Sequence, residues 1–299
     1  MKINGIISAI ITPLSQDEKL HEKELRKQIN RQIEAGVSAV FCLGTNGEFY
    51  AFTEEEKKLI IEVTVDEVNG RVPVLAGTGC TTTKETIALT KFAKEAGVSA
   101  VSVIAPYFAG ISQEGLYRHF TAVADSCDIP NILYNIPART GVNIEYQTVV
   151  RLQEHHNIIG IKDSSGNFLN TLRYIEETKE DFIVLCGNDA LILWTLAAGG
   201  NGGISGLSNI IPDTMVGIYN NFVNGNWEEA RKLQTSINKI RDCFDGHNPN
   251  SIVKLAVNLL GHDVGPVKEP FAIHDHKTEE KVKKVLENFT EGGLCKNGL

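Results

Sequence analysis

The segment EAGVSAV occurs twice, at Glu34–Val40 and again at Glu95–Val101. In both copies Glu-Ala-Gly closes a helix-period stretch and Val-Ser-Ala-Val opens an apolar, β-branched run. Glycine past a helix end supplies a C-cap, and a short apolar run bounded by turn residues reads as a buried strand. Reuse of a good helix-to-strand turn and an ancient internal repeat both account for the duplication. Either way the two copies set an alternating α/β frame.

Working outward from them, the chain holds eight candidate strands: GIISAIITP from Gly5, SAVFCLGT from Ser38, VPVLAGTG from Val72, SAVSVIAP from Ser99, NILYNIP from Asn131, NIIGIKD from Asn157, FIVLCGND from Phe182 and NGGISGL from Asn201. Helical patterns lie between them. HEKELRKQINRQIEAG puts Leu25, Ile29 and Ile33 on one face, with Gly36 as its C-cap. TEEEKKLIIEVTVDEVNG opens with Thr53 and Glu56 at capping-box spacing. Eight strand–helix units joined by short loops predict an α/β fold, a (β/α)8 TIM barrel over 1–224. A doubly wound open sheet is the alternative, but GTNGE at Gly44 lacks the G-x-G-x-x-G spacing of a dinucleotide site. From residue 225 to 299 only helical patterns remain, which predicts a C-terminal helical region packed beside the barrel.

The composition narrows the function classes. Of 299 residues 42% are hydrophobic and 22% charged, enough for a sizeable core. A net charge of −8 leaves no basic surplus for nucleic acid or an anionic membrane. The six cysteines are scattered without a C-x-x-C pair, which fits free thiols in a reducing compartment. The N-terminal MKINGIISAIITPL is broken by Asn4 and Pro13 and reads as a first strand, not a signal peptide. No stretch approaches the roughly 18 apolar residues of a membrane span. A soluble, cytoplasmic protein is expected.

In a barrel of this kind the site is built at the C-terminal ends of the strands. There the polar residues are Thr12, Thr45, Thr78, Tyr107, Tyr134, Lys162, Asn188 and Ser205. One amine, two phenols and several hydroxyls suit carbonyl chemistry on a lysine. Lys162 ends the apolar run of NIIGIKDSSGN, and two readings of it are open. It could be a solvated strand-end lysine paired with Asp163. Alternatively, apolar walls strip its hydration and favour the neutral amine, which attacks a ketone to give a Schiff base. Tyr134, one strand away, could then shuttle protons. The GTNGE turn offers consecutive backbone N–H groups beside the Thr45 hydroxyl, a nest sized for a carboxylate. An ordinary tight turn, with Gly44 and Gly47 in special conformations and Glu48 starting a helix, is the competing reading.

Four motifs, GTNGE at Gly44, YNIPARTG at Tyr134, GIKDSSGN at Gly160 and GGISG at Gly202, resemble the dihydrodipicolinate synthase/N-acetylneuraminate lyase family in order and separation. The resemblance covers nearly the whole chain. It implies a (β/α)8 barrel with a C-terminal helical extension, usually a homotetramer, and class I pyruvate-dependent aldolase chemistry. No dissociable cofactor and no metal is implied, since pyruvate itself is held as a covalent Schiff base. By the same resemblance Lys162 is the Schiff-base lysine, Tyr134 the proton-shuttling phenol, and Thr45 the hydroxyl that binds the pyruvate carboxylate and relays protons. The Asn46 amide completes that grip, and Ile204 lends a main-chain carbonyl near the pyruvate.

The second substrate is read from fewer residues. Arg139 resembles the synthase arginine that grips the carboxylate of aspartate semialdehyde, and a guanidinium suits that task. Three departures oppose it. Phe108 follows Tyr107 where synthases carry a second tyrosine that reaches a neighbouring subunit; Asn46 replaces a threonine; and NPNSIVK at Asn248 lacks a second proline. The synthase reading stands first. The alternative is a catabolic aldolase or dehydratase for a 2-keto-3-deoxy sugar acid or 4-hydroxy-2-oxoglutarate, and a non-catalytic sugar-acid sensor is a remoter one. Glu85 and Tyr107 match a lysine-feedback site, but positions near Phe49 and Lys57 do not, so strong lysine control is not expected. His274, Asp275 and His276 read as a surface loop before a metal site, His155 and His156 as a helix-closing pair, and Trp194 and Leu196 as core.

Overall fold

The computed structural model describes residues 3–272 and 275–291. Eight strands are present where the apolar runs predicted them: β1 (Gly5–Ala9), β2 (Ala39–Cys42), β3 (Val74–Gly77), β4 (Ala100–Ile104), β5 (Asn131–Asn135), β6 (Ile158–Asp163), β7 (Ile183–Cys186) and β8 (Gly202–Ser205). Each pairs in parallel with its sequence neighbour, and β8 closes on β1 through Gly5–Gly202 to Ser8–Ser205. A closed parallel barrel has no free edge, and its helices cover the outer face.

Around the barrel run α1 (Glu22–Glu34), α2 (Glu54–Val68), α3 (Thr83–Glu95), α4 (Gln113–Ser126), the short α5 (Pro137–Thr140), α6 (Tyr146–Leu152), α7 (Phe168–Glu177), α8 (Ile192–Ala197) and α9 (Pro212–Val223). The capping box of α2 is formed: the Thr53 amide donates to Glu56 Oε2 at 2.7 Å, and the Glu56 amide to Thr53 Oγ1 at 3.3 Å. One apolar layer fills the lumen with Ile7, Phe41, Leu75, Ile132, Leu185 and Ile204. The larger layer lies between strands and helices and includes Leu25 and Ile29 of α1. Strand alternation produces both layers, since successive side chains point to opposite faces.

Past α9 the chain forms α10 (Trp227–Ser236), α11 (Asn238–Arg241), α12 (Pro249–Leu259) and α13 (His276–Glu291). This region does more than pack beside the barrel, because residues of α11 and α12 reach the barrel mouth. Two expectations change. Trp194 is not core: Ile192, Leu193 and Leu196 occupy the inward face of α8, so the indole is 37% exposed and meets Trp227 edge-on at 6.0 Å. His155 lies beyond the end of α6, where its Nε2 is 2.9 Å from Asp125 Oδ1; a cross-helix partner, not the helix dipole, holds it. His274 lies outside the described residues.

Candidate active site

The barrel register sets the first contact. Tyr134 on β5 is directly opposite Lys162 on β6. Alternation turns the Lys162 side chain toward the lumen and that of Asp163 away from it. Asp163 consequently does not pair with the lysine. It accepts hydrogen bonds from Asn135 Nδ2 (3.0 Å), the Ser165 amide (3.0 Å) and Thr171 Oγ1 (2.7 Å), tying the turn after β6 to α7. The lysine Nζ sits 3.8 Å from the centre of the Tyr134 ring and 5.1 Å from that of Phe41, and the residue is only 4% exposed. The Tyr134 hydroxyl in turn lies 2.9 Å from Thr45 Oγ1. Amine, phenol and alcohol thus form one chain of groups from three strand ends.

The GTNGE turn differs from its sequence reading. The left-handed residues are Leu43 (φ 54°), just before the turn, and Glu48 (φ 57°), its last residue, not the glycines. Gly44 and Gly47 are required by crowding instead. A Cβ on Gly44 would lie 2.7 Å from Phe41 Cε1, and one on Gly47 would lie 3.1 Å from Ile10 O. Inside the turn the Glu48 amide donates to Thr45 O (3.1 Å) and the Phe49 amide to Gly44 O (3.5 Å); neither bond uses the Thr45 or Asn46 N–H. Those two amides can therefore serve an anion, as a nest does.

Glu48 does not open α2. It precedes a single 3-10 turn (Phe49–Ala51) and is fully buried. Its Oε1 meets Lys254 Nζ of α12 at 2.6 Å, and its Oε2 accepts the Lys268 amide at 3.1 Å. Lys254 Nζ also donates to Pro266 O at 2.7 Å. Burial pulls the Lys254 ammonium below the ordinary lysine range, opposed by the carboxylate beside it. Asn250, also on α12, donates from Nδ2 to Thr45 O (2.7 Å) and to the Tyr50 hydroxyl (3.0 Å). The C-terminal helices thereby set the position of the nest.

One cavity of about 230 Å³ gathers Lys162, Tyr134, Thr45, Asn46, Arg139 and Ile204. Arg139, on α5, stands at its exposed rim. Two glycines keep the floor open. A Cβ on Gly187 would lie 1.9 Å from Ser164 Oγ and 2.9 Å from Lys162 Cε, and one on Gly206 2.0 Å from Asn46 Nδ2. The lining also includes Asp189, Arg241, Phe244 and Asn250, which sequence reasoning did not single out as site residues. Burial pushes the Asp189 carboxyl above the usual carboxylate range, against hydrogen bonds from Ser205 and the Leu207 amide. Of the other mouth residues, Thr12 Oγ1 donates to Gly47 O at 2.8 Å, Thr78 Oγ1 accepts from Thr90 at 2.9 Å, and Ser205 Oγ accepts the Ser208 amide at 3.0 Å. These three brace the framework.

Tyr107 lies outside this cavity. It lines an adjoining vestibule with Phe49, whose ring it meets edge-on at 5.9 Å, and a separate recess of about 220 Å³ shared with Glu54, Lys57, Cys80, Thr81 and Glu85. Burial raises the Tyr107 phenol pKa. Phe108 joins neither: it is 99% exposed, with a left-handed φ of 77°. Among the described residues no group of three or more His, Cys, Asp or Glu side chains is placed to hold a metal ion.

Known proteins are similar to this chain over nearly their whole length. The chain is 40% identical over 298 residues to a 4-hydroxy-tetrahydrodipicolinate synthase of Methanopyrus kandleri, covering 98% of this chain and 99% of that one. It superimposes with a TM-score of 0.94 on the 4-hydroxy-tetrahydrodipicolinate synthase of Methylacidiphilum fumariolicum SolV, at 35% identity and 98% coverage of both chains. A prophage protein of Escherichia coli K12, belonging to the dihydrodipicolinic acid synthase family and solved in complex with pyruvate, matches at a TM-score of 0.93 and 33% identity, covering 98% of this chain and 99% of that one. The sequence model of the dihydrodipicolinate synthetase family matches residues 2–289, and with the barrel closed and the four motifs at one mouth, the chain belongs to that family.

Proposed function

We propose that this protein is a Schiff-base lyase that condenses pyruvate with aspartate semialdehyde, the 4-hydroxy-tetrahydrodipicolinate synthase reaction. The observation that carries the reading is the hydrogen-bonded pair Thr45 Oγ1–Tyr134 OH, 2.9 Å apart, on a phenol set opposite Lys162. The pyruvate carboxylate rests on the Thr45 hydroxyl and the Thr45 and Asn46 amides. Lys162 Nζ attacks the ketone carbon, and the resulting carbinolamine loses water as Tyr134 delivers a proton to the departing oxygen. The imine draws electrons from the neighbouring methyl carbon, which loses a proton to the Tyr134 phenolate to become the enamine, restoring the phenol. That carbon bonds to the aldehyde carbon of the second substrate, and the new alkoxide takes a proton from Tyr134. Arg139 receives the far carboxylate of aspartate semialdehyde. Its amine then attacks the imine carbon, closing a six-membered ring and freeing Lys162. The turnover needs no dissociable cofactor. Homologous synthases act on small molecules, and we extend to this chain a cytoplasmic homotetramer; among the described residues no helix is long and apolar enough to cross a membrane.

One observation favours a second reading. Phe108 offers an exposed phenyl where a synthase-type relay uses a phenol, and a phenyl carries no proton. The alternative it leaves is a catabolic aldolase releasing pyruvate from a 2-keto-3-deoxy acid. The two readings separate in one side-by-side assay. Pyruvate with aspartate semialdehyde should condense efficiently, and Arg139→Ala should damage that turnover while pyruvate still forms a borohydride-trapped adduct on Lys162. Pyruvate release from 2-keto-3-deoxy acids alone overturns the synthase reading.

A further inference from the structure

The cavity holds a second guanidinium. Arg241, the last residue of α11, is half-buried and lines the same space as Lys162. Its Nη2 donates to Asn188 Oδ1 at 3.2 Å, one hydrogen bond from a group with five N–H donors. Among the described residues no carboxylate closes a salt bridge with it; its charge reaches the Asp189 carboxyl across the cavity and favours the ionised form there, without a hydrogen bond between the two. Asn188 is itself fixed: its Oδ1 accepts the Ala190 amide at 3.2 Å in the turn after β7. The guanidinium is thus aimed from the C-terminal region toward the β7 side of the cavity, whereas Arg139 comes from the β5 side.

Charge balance asks what this arginine is for. Lys162, Arg139 and Arg241 face the cavity, against the single carboxyl of Asp189, whose ionised form burial disfavours. The carboxylate of pyruvate is already met by the Thr45–Asn46 nest. Arg139 at the rim is solvated, and exposed charges are screened and weak. A half-buried guanidinium with a fixed fork, facing the same space, can add to the hold of Arg139 on the one far carboxylate of the aldehyde.

We infer that Arg241, oriented by Asn188, is a specificity-determining residue that selects aldehyde partners bearing a terminal carboxylate. The inference rests on the reading of Lys162 as the pyruvate-capturing amine. The probes are 4-oxobutanoate and butanal, of equal length and differing in the carboxylate, titrated calorimetrically into the pyruvate-treated protein. The protein prefers 4-oxobutanoate; Arg241→Gln cuts that preference about tenfold, Arg241→Lys restores part of it, and the KM for pyruvate is unchanged. An unchanged preference overturns the inference, and so does an equal loss for both aldehydes, which marks a merely structural arginine. Borohydride trapping on Lys162 tests the underlying reading separately. If the unaltered protein gives no adduct, that reading fails, and titration of both probes without pyruvate still decides the role of Arg241.

Discussion

Tyr134 and Lys162 face each other across the β5–β6 ladder, with the lysine Nζ 3.8 Å from the centre of the phenol ring. The phenol hydroxyl is held from the other side by Thr45 Oγ1 at 2.9 Å. A group fixed at both ends can give and take a proton without reorganising, which general acid–base catalysis requires. Tyr134→Phe should keep the cavity shape and lower kcat by about 10²–10⁴. The rate at which borohydride-trappable adduct appears on Lys162 is the measurement, and an unchanged rate removes the phenol from the proton path.

Gly187 tests how closely the lysine is placed. An added methyl would lie 2.9 Å from Lys162 Cε and 1.9 Å from Ser164 Oγ, so both side chains must shift. A displacement of about 1 Å at a reacting group costs on the order of 10² in rate. Gly187→Ala should therefore slow adduct formation about a hundredfold while the urea midpoint changes little. Adding Ser164→Ala should recover part of the rate, because one of the two clashes is gone.

The barrel was legible because each strand is a short β-branched run closed by turn residues, and each parallel strand is buried on both faces. The place of Lys162 at the barrel mouth was legible for the same reason, as an amine at the end of such a run. Residues contributed across long separations were not. Nothing local to Glu48 announces a partner on α12, and Arg241 and Asn250 sit on helices whose apolar period says only that they pack somewhere. Of the two readings of GTNGE, the one that gave Gly44 and Gly47 special conformations does not hold, because composition cannot separate a residue chosen for its backbone freedom from one chosen to let Phe41 or Ile10 come close. Trp194 went wrong through size: a large apolar ring on a six-residue helix was assigned inward, yet three smaller side chains already fill that face.

The Glu48–Lys254 pair joins the nest to the C-terminal helices. Both side chains are at most 2% exposed and lie 2.6 Å apart. Removing one partner leaves a buried charge uncompensated, which costs about 3–5 kcal/mol, whereas replacing both with apolar groups is often neutral. Glu48→Gln should lose stability on that scale in urea unfolding, and Glu48→Leu combined with Lys254→Met should lose much less. Activity should fall in both proteins, because the turn that presents Thr45 is loosened. A single variant as stable as the parent contradicts this role for the pair.

His119 gives the fold a dependence on pH. It is 4% exposed on α4, its Nδ1 lies 2.9 Å from Thr83 Oγ1, and its buried Nε2 has no hydrogen-bond partner among the described residues. Burial lowers its pKa from the ordinary 6.5 to about 4. Between those values the unfolded chain binds the proton and the folded chain does not, so acidification favours unfolding. The loss begins as pH falls through 6.5, grows until about 4, and is constant below that. From pH 7 to pH 5 the imidazole alone should remove about 2 kcal/mol of stability. His119→Gln, which keeps a polar group toward Thr83 but does not titrate, should shed that part of the slope whatever its own stability. Urea unfolding of both proteins at pH 7 and pH 5 measures the difference, and parallel losses would place the acid sensitivity in other groups.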